Sequence, residues 1–296
     1  MSRVRADVQL VFACLLWGVS FVVVKQGLAF ASPLAFATVR FGLAALLLAP
    51  LARLRTPFTR TELVGGGALA LLLGLGYLTQ TIGLVWTTPS RSAFLVAISS
   101  VLAPGIAVLA LRERPTMRLL AALGLAAAGV FWLTAPERGG LNRGDALTLV
   151  TAVLYGGHIV TIGAFSRRGD PFHLVWLQIA GTAVLGGVGM ICFEQPHIAW
   201  TPAFGAALVY TAAGATVATL LLQMHAQRHM SAARAAVLFC SESLFAAATS
   251  WLVLGERLSA AQWLGGGLIL TGLVLAELRT APSALGYQPS PNRDSG

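Results

Sequence analysis

Charged residues are scarce in this sequence. Only 10% of its 296 residues are Asp, Glu, Lys or Arg, whereas 56% are hydrophobic and the mean hydropathy is +0.77. A soluble domain cannot bury so large an apolar fraction, so the composition indicates an all-α integral membrane protein with several spans. The net charge of +9 lies in short links between apolar runs rather than in one basic stripe, so no nucleic-acid partner is expected.

Motifs for metal, nucleotide or covalent chemistry are also missing. The three cysteines, Cys14, Cys192 and Cys240, lie inside apolar runs without paired spacing, which is typical of small buried residues rather than disulfides or metal ligands. There is no Walker-type phosphate loop, no metal-ligand cluster and no nucleophile motif. We therefore expect no cofactor and no ATP-driven pump.

An internal repeat organises the apolar part of the chain. Residues 254–275 match residues 111–132 at a separation of 143 residues. Nearer the N-terminus the separation is 138, which aligns Trp17 with Tyr155. The change implies about five extra residues in the second copy, most simply in the loop around 194–201. The chain therefore consists of two related halves.

Each half contains five apolar segments of the length that crosses a bilayer, which takes roughly 20 residues for ~30 Å of hydrocarbon. Since five is odd, the second half enters the membrane upside down, and the sequence predicts two inverted-topology repeats, 8–134 and 145–278. The tail 279–296 is rich in proline and small polar residues and is expected to be disordered. The ten predicted spans are 8–28, 33–52, 62–85, 92–111, 115–134, 145–166, 171–193, 203–225, 235–254 and 260–278.

The distribution of Lys and Arg predicts the orientation. Fourteen fall on links on one side of the predicted membrane and five on the other. Under the positive-inside rule, both termini and the tail then face the cytoplasm, and the link 137–145 faces outwards. For a bacterial chain, this is a multi-pass protein of the inner membrane.

Two charged residues lie deep inside predicted spans. Arg40 is ~10 Å below the outer surface, where it either forms a structural ion pair, extends to the surface or contacts a substrate. Glu242 is ~11 Å from the cytoplasmic end and is either a hydrogen-bonded structural carboxyl or a site for a proton or a substrate amine. Direct pairing would have to bridge an axial gap of ~9 Å. Lys25, near a helix end, is expected to extend to the membrane surface.

Polar and aromatic side chains occupy matching places in the two halves. Trp17 and Ser20 share a helix face, as do Tyr155 and His158 at the equivalent positions. Faces of this kind that meet at a pseudo-two-fold axis would form a binding chamber. Packing remains an alternative for the two aromatic rings, and a hydrogen-bonded structural role for the histidine.

The third and eighth spans continue this pattern. Tyr77 and Gln80 lie on one face of the third span, and Gln223 is the counterpart of Gln80 in the eighth. A buried amide must be hydrogen-bonded, so each glutamine either joins helices or contacts a ligand.

Helix ends carry their own signals. Ser259 and Gln262 form a capping-box pattern at the start of the last helix. Glu113 and Glu256 occupy equivalent turns after the fourth and ninth spans, where a structural role is favoured over a catalytic one.

Several of these motifs resemble the ten-span drug/metabolite transporter superfamily, and most closely its EamA-type exporters. The similarity lies in Leu16-Trp17-Gly18, Val39-Arg40-Phe41 and the two Glu-Arg turns, and it covers residues 8–278. It implies a central chamber lined by spans 1, 3, 4, 6, 8 and 9, with spans 5 and 10 packed outside. Many relatives have Glu-Pro where this chain has Glu242-Ser243.

The sequence therefore predicts a secondary transporter that exports small metabolites, with amino acids, including aromatic and other neutral ones, as the leading class. Its partners would be the small-molecule substrate and the lipid bilayer, and a monomer is compatible with the sequence. A proton-driven exporter of toxic compounds is the alternative, and a membrane enzyme or a scaffold is less favoured. Ser99 stands opposite Glu242 in the repeat, and this lack of a second deep acid favours facilitated diffusion over proton coupling.

Overall fold

A computed structural model of the protein describes residues 3–53, 57–111, 116–134, 140–230 and 232–277. Within these ranges the chain forms helices joined by short links, and two of its residues, Ala31 and Ile198, form an isolated β-bridge. The helices are α1 Arg3–Gly27, α2 Pro33–Arg53, α3 Arg60–Gly83, α4 Pro89–Leu111, α5 Met117–Thr134, α6 Arg143–Phe165, α7 Pro171–Phe193, α8 Pro202–Gln227, α9 Ala232–Leu254 and α10 Ala260–Glu277.

Seven of these ten helices, α1 to α4 and α6 to α8, are long and apolar enough to cross a membrane, judged over the described residues. The fifth, α5, contains a shorter apolar stretch, Leu120–Leu133. The fold is therefore all-helical, with the helix order that the repeat predicted. The tail 279–296 and Glu113 lie outside the described residues.

Capping groups fix several helix ends. At the start of α10, Ser259 Oγ accepts the Gln262 N–H at 3.3 Å and Gln262 Oε1 accepts the Ser259 N–H at 2.9 Å, so the predicted capping box is confirmed. Glu256 Oε2 accepts from the Ser90 hydroxyl at 2.8 Å and from the Ser250 hydroxyl. Because these contacts join the end of α9 to the start of α4, the expected structural role of Glu256 is confirmed.

The two halves interlock rather than forming separate bundles. The most extensive helix pairs all join one half to the other: α5–α10, α3–α7, α4–α6, α3–α6, α1–α9 and α2–α7. Shifting helix numbers by five converts α4–α6 into α9–α1 and returns α5–α10 and α2–α7 to themselves. This is the pairing that a pseudo-two-fold axis between the halves produces.

Helices α5 and α10 pack closely through equivalent glycines. A Cβ atom added at Gly129 would lie 2.7 Å from the Gly265 backbone oxygen, and one at Gly272 would lie 2.8 Å from that of Ala122. The repeat spacing of 143 exchanges these two contacts. Because Ala122 precedes Gly129 while its partner Gly272 follows Gly265, the two helices run antiparallel.

The centre of α8 departs from α-helical geometry. Residues Tyr210–Ala218 form a π-helix, in which the Thr216 hydroxyl donates to the Thr211 oxygen five residues earlier. Gln223 lies 21 residues after Pro202, whereas its counterpart Gln80 lies 20 residues after Arg60. One additional residue therefore lies within α8, where the wider π-helical turns accommodate it.

The location expected for the five extra residues was therefore only partly right. One of the five lies within α8 rather than in the link 194–201. A residue accommodated by a π-helix changes the repeat spacing in the same way as a residue added to a loop.

Candidate functional site

A cavity lies between the halves. Helices α1, α3, α4, α6, α8 and α9 line it, as the family resemblance implied, and Arg40 adds α2. All nine candidate site residues border this one cavity: Trp17, Ser20, Arg40, Tyr77, Gln80, Tyr155, His158, Gln223 and Glu242. The mixture of aromatic and polar groups is typical of a small-molecule site.

Arg40 is held by the π-helical turn of α8. Its Nε atom donates to Thr216 Oγ1 at 3.0 Å, and its Nη2 atom donates to the Ala215 oxygen at 3.3 Å. The guanidinium carbon also lies 4.9 Å from the centre of the Tyr77 ring and 5.2 Å from that of Phe41. Only 2% of the residue is exposed, so Arg40 neither extends to the membrane surface nor forms an ion pair with Glu242.

Two tyrosines form an aromatic wall beside Arg40. The Tyr77 and Tyr155 rings meet edge to face with their centres 5.6 Å apart. The Tyr155 hydroxyl donates to Gln80 Oε1 at 3.1 Å, which joins α6 to α3. Gln80 therefore connects helices through its oxygen while it borders the cavity.

The matching glutamine in the second half is free of such contacts. Gln223 borders the cavity, and its amide makes no hydrogen bond to any other residue that the structure describes. The repeat therefore places one occupied and one available amide at equivalent positions. Leu220 replaces Tyr77 in the second half, so the aromatic wall is also one-sided.

Trp17 contacts both α8 and α9. Its indole N–H donates to the Ala215 oxygen at 3.1 Å, the same oxygen that accepts from Arg40. Its ring lies 6.2 Å from that of Phe239. The Ser20 hydroxyl instead donates to the Trp17 oxygen of its own helix at 2.7 Å, so Ser20 can offer a ligand only its lone pairs.

The buried histidine has a protein partner. His158 Nε2 lies 2.8 Å from Gln178 Oε1, and the two residues are 3% and 0% exposed. A hydrogen-bonded structural role was one of the two predictions for His158, and this contact agrees with it. Gln178 is the repeat counterpart of Arg40. Arg40 borders the cavity, whereas Gln178 lies behind the cavity wall and contacts His158.

Glu242 differs from the other acids of the described chain. Its side chain borders the cavity and has no hydrogen bond or ion pair with any residue that the structure describes. A structural carboxyl would be satisfied by donors, as Glu62 and Glu256 are. The geometry therefore does not support a hydrogen-bonded structural role for Glu242.

Interactions at the helix ends close the bundle around the cavity. Lys25 Nζ donates to the backbone oxygens of Leu84 and Thr87 at 2.5 and 3.0 Å, so it caps the end of α3. Lys25 thus binds backbone oxygens of the link between α3 and α4, and its extension to the membrane surface stays a prediction. On the same side, Arg91 Nη2 and Asp145 Oδ2 form a buried ion pair at 2.5 Å.

Comparison with known proteins assigns the chain to a family. The description of the EamA-like transporter family matches it twice, over residues 4–135 and 142–278. The chain belongs to the EamA-like transporter family. The two matches coincide with the two structural repeats, so this EamA-like transporter carries one copy of the family unit in each half.

Relatives of this EamA-like transporter occur in distant organisms. An uncharacterized transporter of Archaeoglobus fulgidus is 32% identical over 279 residues, covering 94% of this chain and 88% of that protein. The uncharacterized inner membrane transporter YicL of Salmonella typhimurium is 27% identical over 225 residues, or 71% and 73% of the two chains. A crystal structure that is 18% identical superposes with a TM-score of 0.65, covering 93% of this chain and 97% of that one.

Sequence reasoning missed the π-helical turn that organises one side of the site. Thr216 and Ala215 carry no motif, since a threonine and a backbone oxygen in an apolar helix are ordinary. The one available signal was the odd residue within α8, which the repeat spacing contained but did not locate. Phe239 was also missed because an aromatic ring in an apolar span predicts packing equally well.

Proposed function

We propose that this EamA-like transporter exports small metabolites, with amino acids, including aromatic and other neutral ones, as the leading substrate class. The observation that supports the proposal best is the cavity between the halves. It combines aromatic rings with a small number of polar groups, which is how proteins recognise small amphiphilic molecules. Its position where the repeats meet is also where secondary transporters place their substrates.

Alternating access is the proposed mechanism. The exchange of contacts between α5 and α10 supports an inverted repeat, because an axis perpendicular to antiparallel spans lies in the plane of the membrane. In that arrangement all ten helices cross the bilayer. The two halves then rock around the cavity, so that it opens first to one side of the membrane and then to the other.

The proposed location is the bacterial inner membrane, with both termini in the cytoplasm. The excess of Lys and Arg on one set of links, fourteen against five, supports this orientation. One relative, YicL, is named an inner membrane transporter.

Counterflow in proteoliposomes tests the proposal. Purified protein is reconstituted, the vesicles are loaded with one unlabelled amino acid at a time, and uptake of the same labelled amino acid is followed over a panel of neutral, aromatic and charged ones. We expect counterflow for a group that includes neutral and aromatic amino acids. Absence of counterflow for the whole panel, with folded and reconstituted protein, would show that amino acids are not the substrates.

A second candidate is a proton-driven exporter of amphipathic toxic compounds. The free carboxyl of Glu242 favours it, because a cavity carboxyl without a donor can bind a proton or a cationic amine. An imposed pH gradient should then drive uptake of an amphipathic amine into reconstituted vesicles. Glu242→Gln would remove that response and leave counterflow of the same amine in place.

A further inference from the structure

Two groups that can carry opposite charges border the cavity without pairing with each other. Neither Arg40 nor Glu242 forms an ion pair with a residue that the structure describes. Buried charges are normally paired, because an unpaired charge in an apolar environment is costly. Two such groups facing one cavity indicate that a bound ligand forms ion pairs with them.

Arg40 still has donors to offer. A guanidinium carries five N–H groups, and the contacts to Thr216 and Ala215 engage two nitrogen atoms. Tyr77 is a further hydrogen-bonding partner of this side chain, and the N–H groups left over belong to a residue that borders the cavity and is only 2% exposed. A planar guanidinium presented in this way matches a carboxylate, which can accept two parallel hydrogen bonds.

Glu242 offers the complementary group. Its carboxylate has no donor among the described residues, and Phe239, one helical turn earlier, lies against Trp17. Trp17 in turn shares the Ala215 oxygen with Arg40. Trp17 therefore contacts both an atom that binds Arg40 and a residue one turn from Glu242. An ammonium group near Glu242 would also lie among aromatic rings.

We propose that the cavity binds its substrate as a zwitterion, with the carboxylate on Arg40 and the ammonium on Glu242. This inference rests on the proposed transport function and specifies the recognition at that site. A zwitterion completes both charges, whereas a simple anion or a simple cation leaves one of them unpaired, so the site discriminates against both. The substrate side chain then lies along the wall formed by Tyr77 and Tyr155.

The same geometry assigns Thr216 as a positioning residue. Its hydroxyl donates to the Thr211 oxygen and accepts from Arg40 Nε, so it fixes the guanidinium without bordering the cavity. Thr216 reaches that place through the π-helical turn of α8. Thr219 is a matched control, because it is equally buried and its hydroxyl donates to the Thr216 oxygen at 3.3 Å rather than to Arg40.

Three related compounds test the proposal: phenylalanine, phenylalaninamide, which lacks the carboxylate, and 3-phenylpropionate, which lacks the ammonium. Each competes with labelled phenylalanine in counterflow, and its binding to the purified protein is measured separately by thermal shift. We expect phenylalanine to compete roughly tenfold to a hundredfold better than either analogue, the loss expected for one charge-assisted hydrogen bond.

The variants assign each charge to its residue. Glu242→Gln should remove the preference for phenylalanine over 3-phenylpropionate and keep the preference over the amide, and it should fold normally because the carboxyl bonds no described residue. Arg40→Gln should show the reverse. Thr216→Val keeps Arg40, and so avoids the folding risk of losing it, but should weaken the preference over the amide, whereas Thr219→Val should behave like the wild type.

The outcomes separate this inference from the transport proposal. Counterflow of phenylalanine with equal competition by all three compounds would overturn the zwitterion site and leave transport standing. Selective binding of phenylalanine without counterflow would overturn transport and leave the site standing. A wild type that neither binds nor exchanges phenylalanine or another neutral amino acid would overturn both.

Discussion

A buried carboxylate that accepts several hydrogen bonds, at the start of α3 and α7, gives the sharpest stability prediction. Glu62 Oε1 accepts the Asp170 N–H at 2.6 Å, and its Oε2 accepts the Thr59 N–H at 2.9 Å and faces His173 Nδ1 at 3.1 Å. The other ring nitrogen, Nε2, lies 3.3 Å from the Ala52 oxygen. Since a carboxylate oxygen can only accept, Nδ1 of the ring donates to Glu62, and Nε2 lies within hydrogen-bonding distance of a carbonyl oxygen.

Glu62→Gln should therefore destabilise the protein substantially. A hydrogen bond to a charged group contributes about 1.5–3 kcal/mol, and Glu62 accepts three N–H groups. The glutamine retains one oxygen that can accept one of these N–H groups, so we expect about 2–3 kcal/mol. For a chain of this size each kcal/mol shifts the melting temperature by about 2–4 °C, which gives a decrease of roughly 5–10 °C.

Thermal unfolding of the purified protein in detergent measures this decrease. His229→Gln serves as the control, because His229 is exposed and should leave the melting temperature unchanged. The double variant Glu62→Gln/His173→Gln should be less destabilised than the sum of the single variants, since the two side chains are in direct contact. Additive effects, or a Glu62→Gln protein that melts within about 1–2 °C of the wild type, would refute the reasoning.

Further predictions concern orientation, the cavity wall, helix packing and coupling. In a Cys-free variant, Leu141→Cys, which is 52% exposed on the link between the halves, should label from outside intact cells, and labelling only after lysis would reverse the topology. Trp17→Ala and Tyr155→Ala should impair transport of neutral and aromatic substrates in folded protein. Unchanged uptake would show that both rings serve only in helix packing. Gly129→Ala should cost about 1–3 kcal/mol in a melting experiment because its Cβ meets the α10 backbone, while Gly124→Ala, which faces open space, should be neutral. Net transport should not follow an imposed pH gradient, and a gradient-driven flux in vesicles would establish proton coupling instead.

The composition of the cavity could be predicted from the sequence because the two halves are related. Aligning Trp17 with Tyr155 and Gln80 with Gln223 identified four side chains that border one cavity. The depth of Arg40 and Glu242 within apolar runs marked them independently, since charges are rarely placed there without a use.

The partners of these residues could not be predicted in the same way. Lys25 and Arg40 both bind backbone oxygens, and every residue has one, so the sequence contains no sign of which is used. The carbonyls near Lys25 are available because α3 ends there, and the Ala215 oxygen is presented by a π-helical turn. Both depend on where a helix ends or widens by a residue or two, which is the part of a fold that hydrophobic patterns define least.

The interlocking of the halves has a consequence for biosynthesis. Because α1, α3, α4 and α5 make their most extensive contacts with helices of the second half, the N-terminal half leaves the ribosome with its packing surfaces uncovered. It must remain in the bilayer as loosely associated helices until α6 to α10 have been inserted. Assembly of the bundle is thus a late event, and it depends on completing the last helix, whose glycines must meet α5.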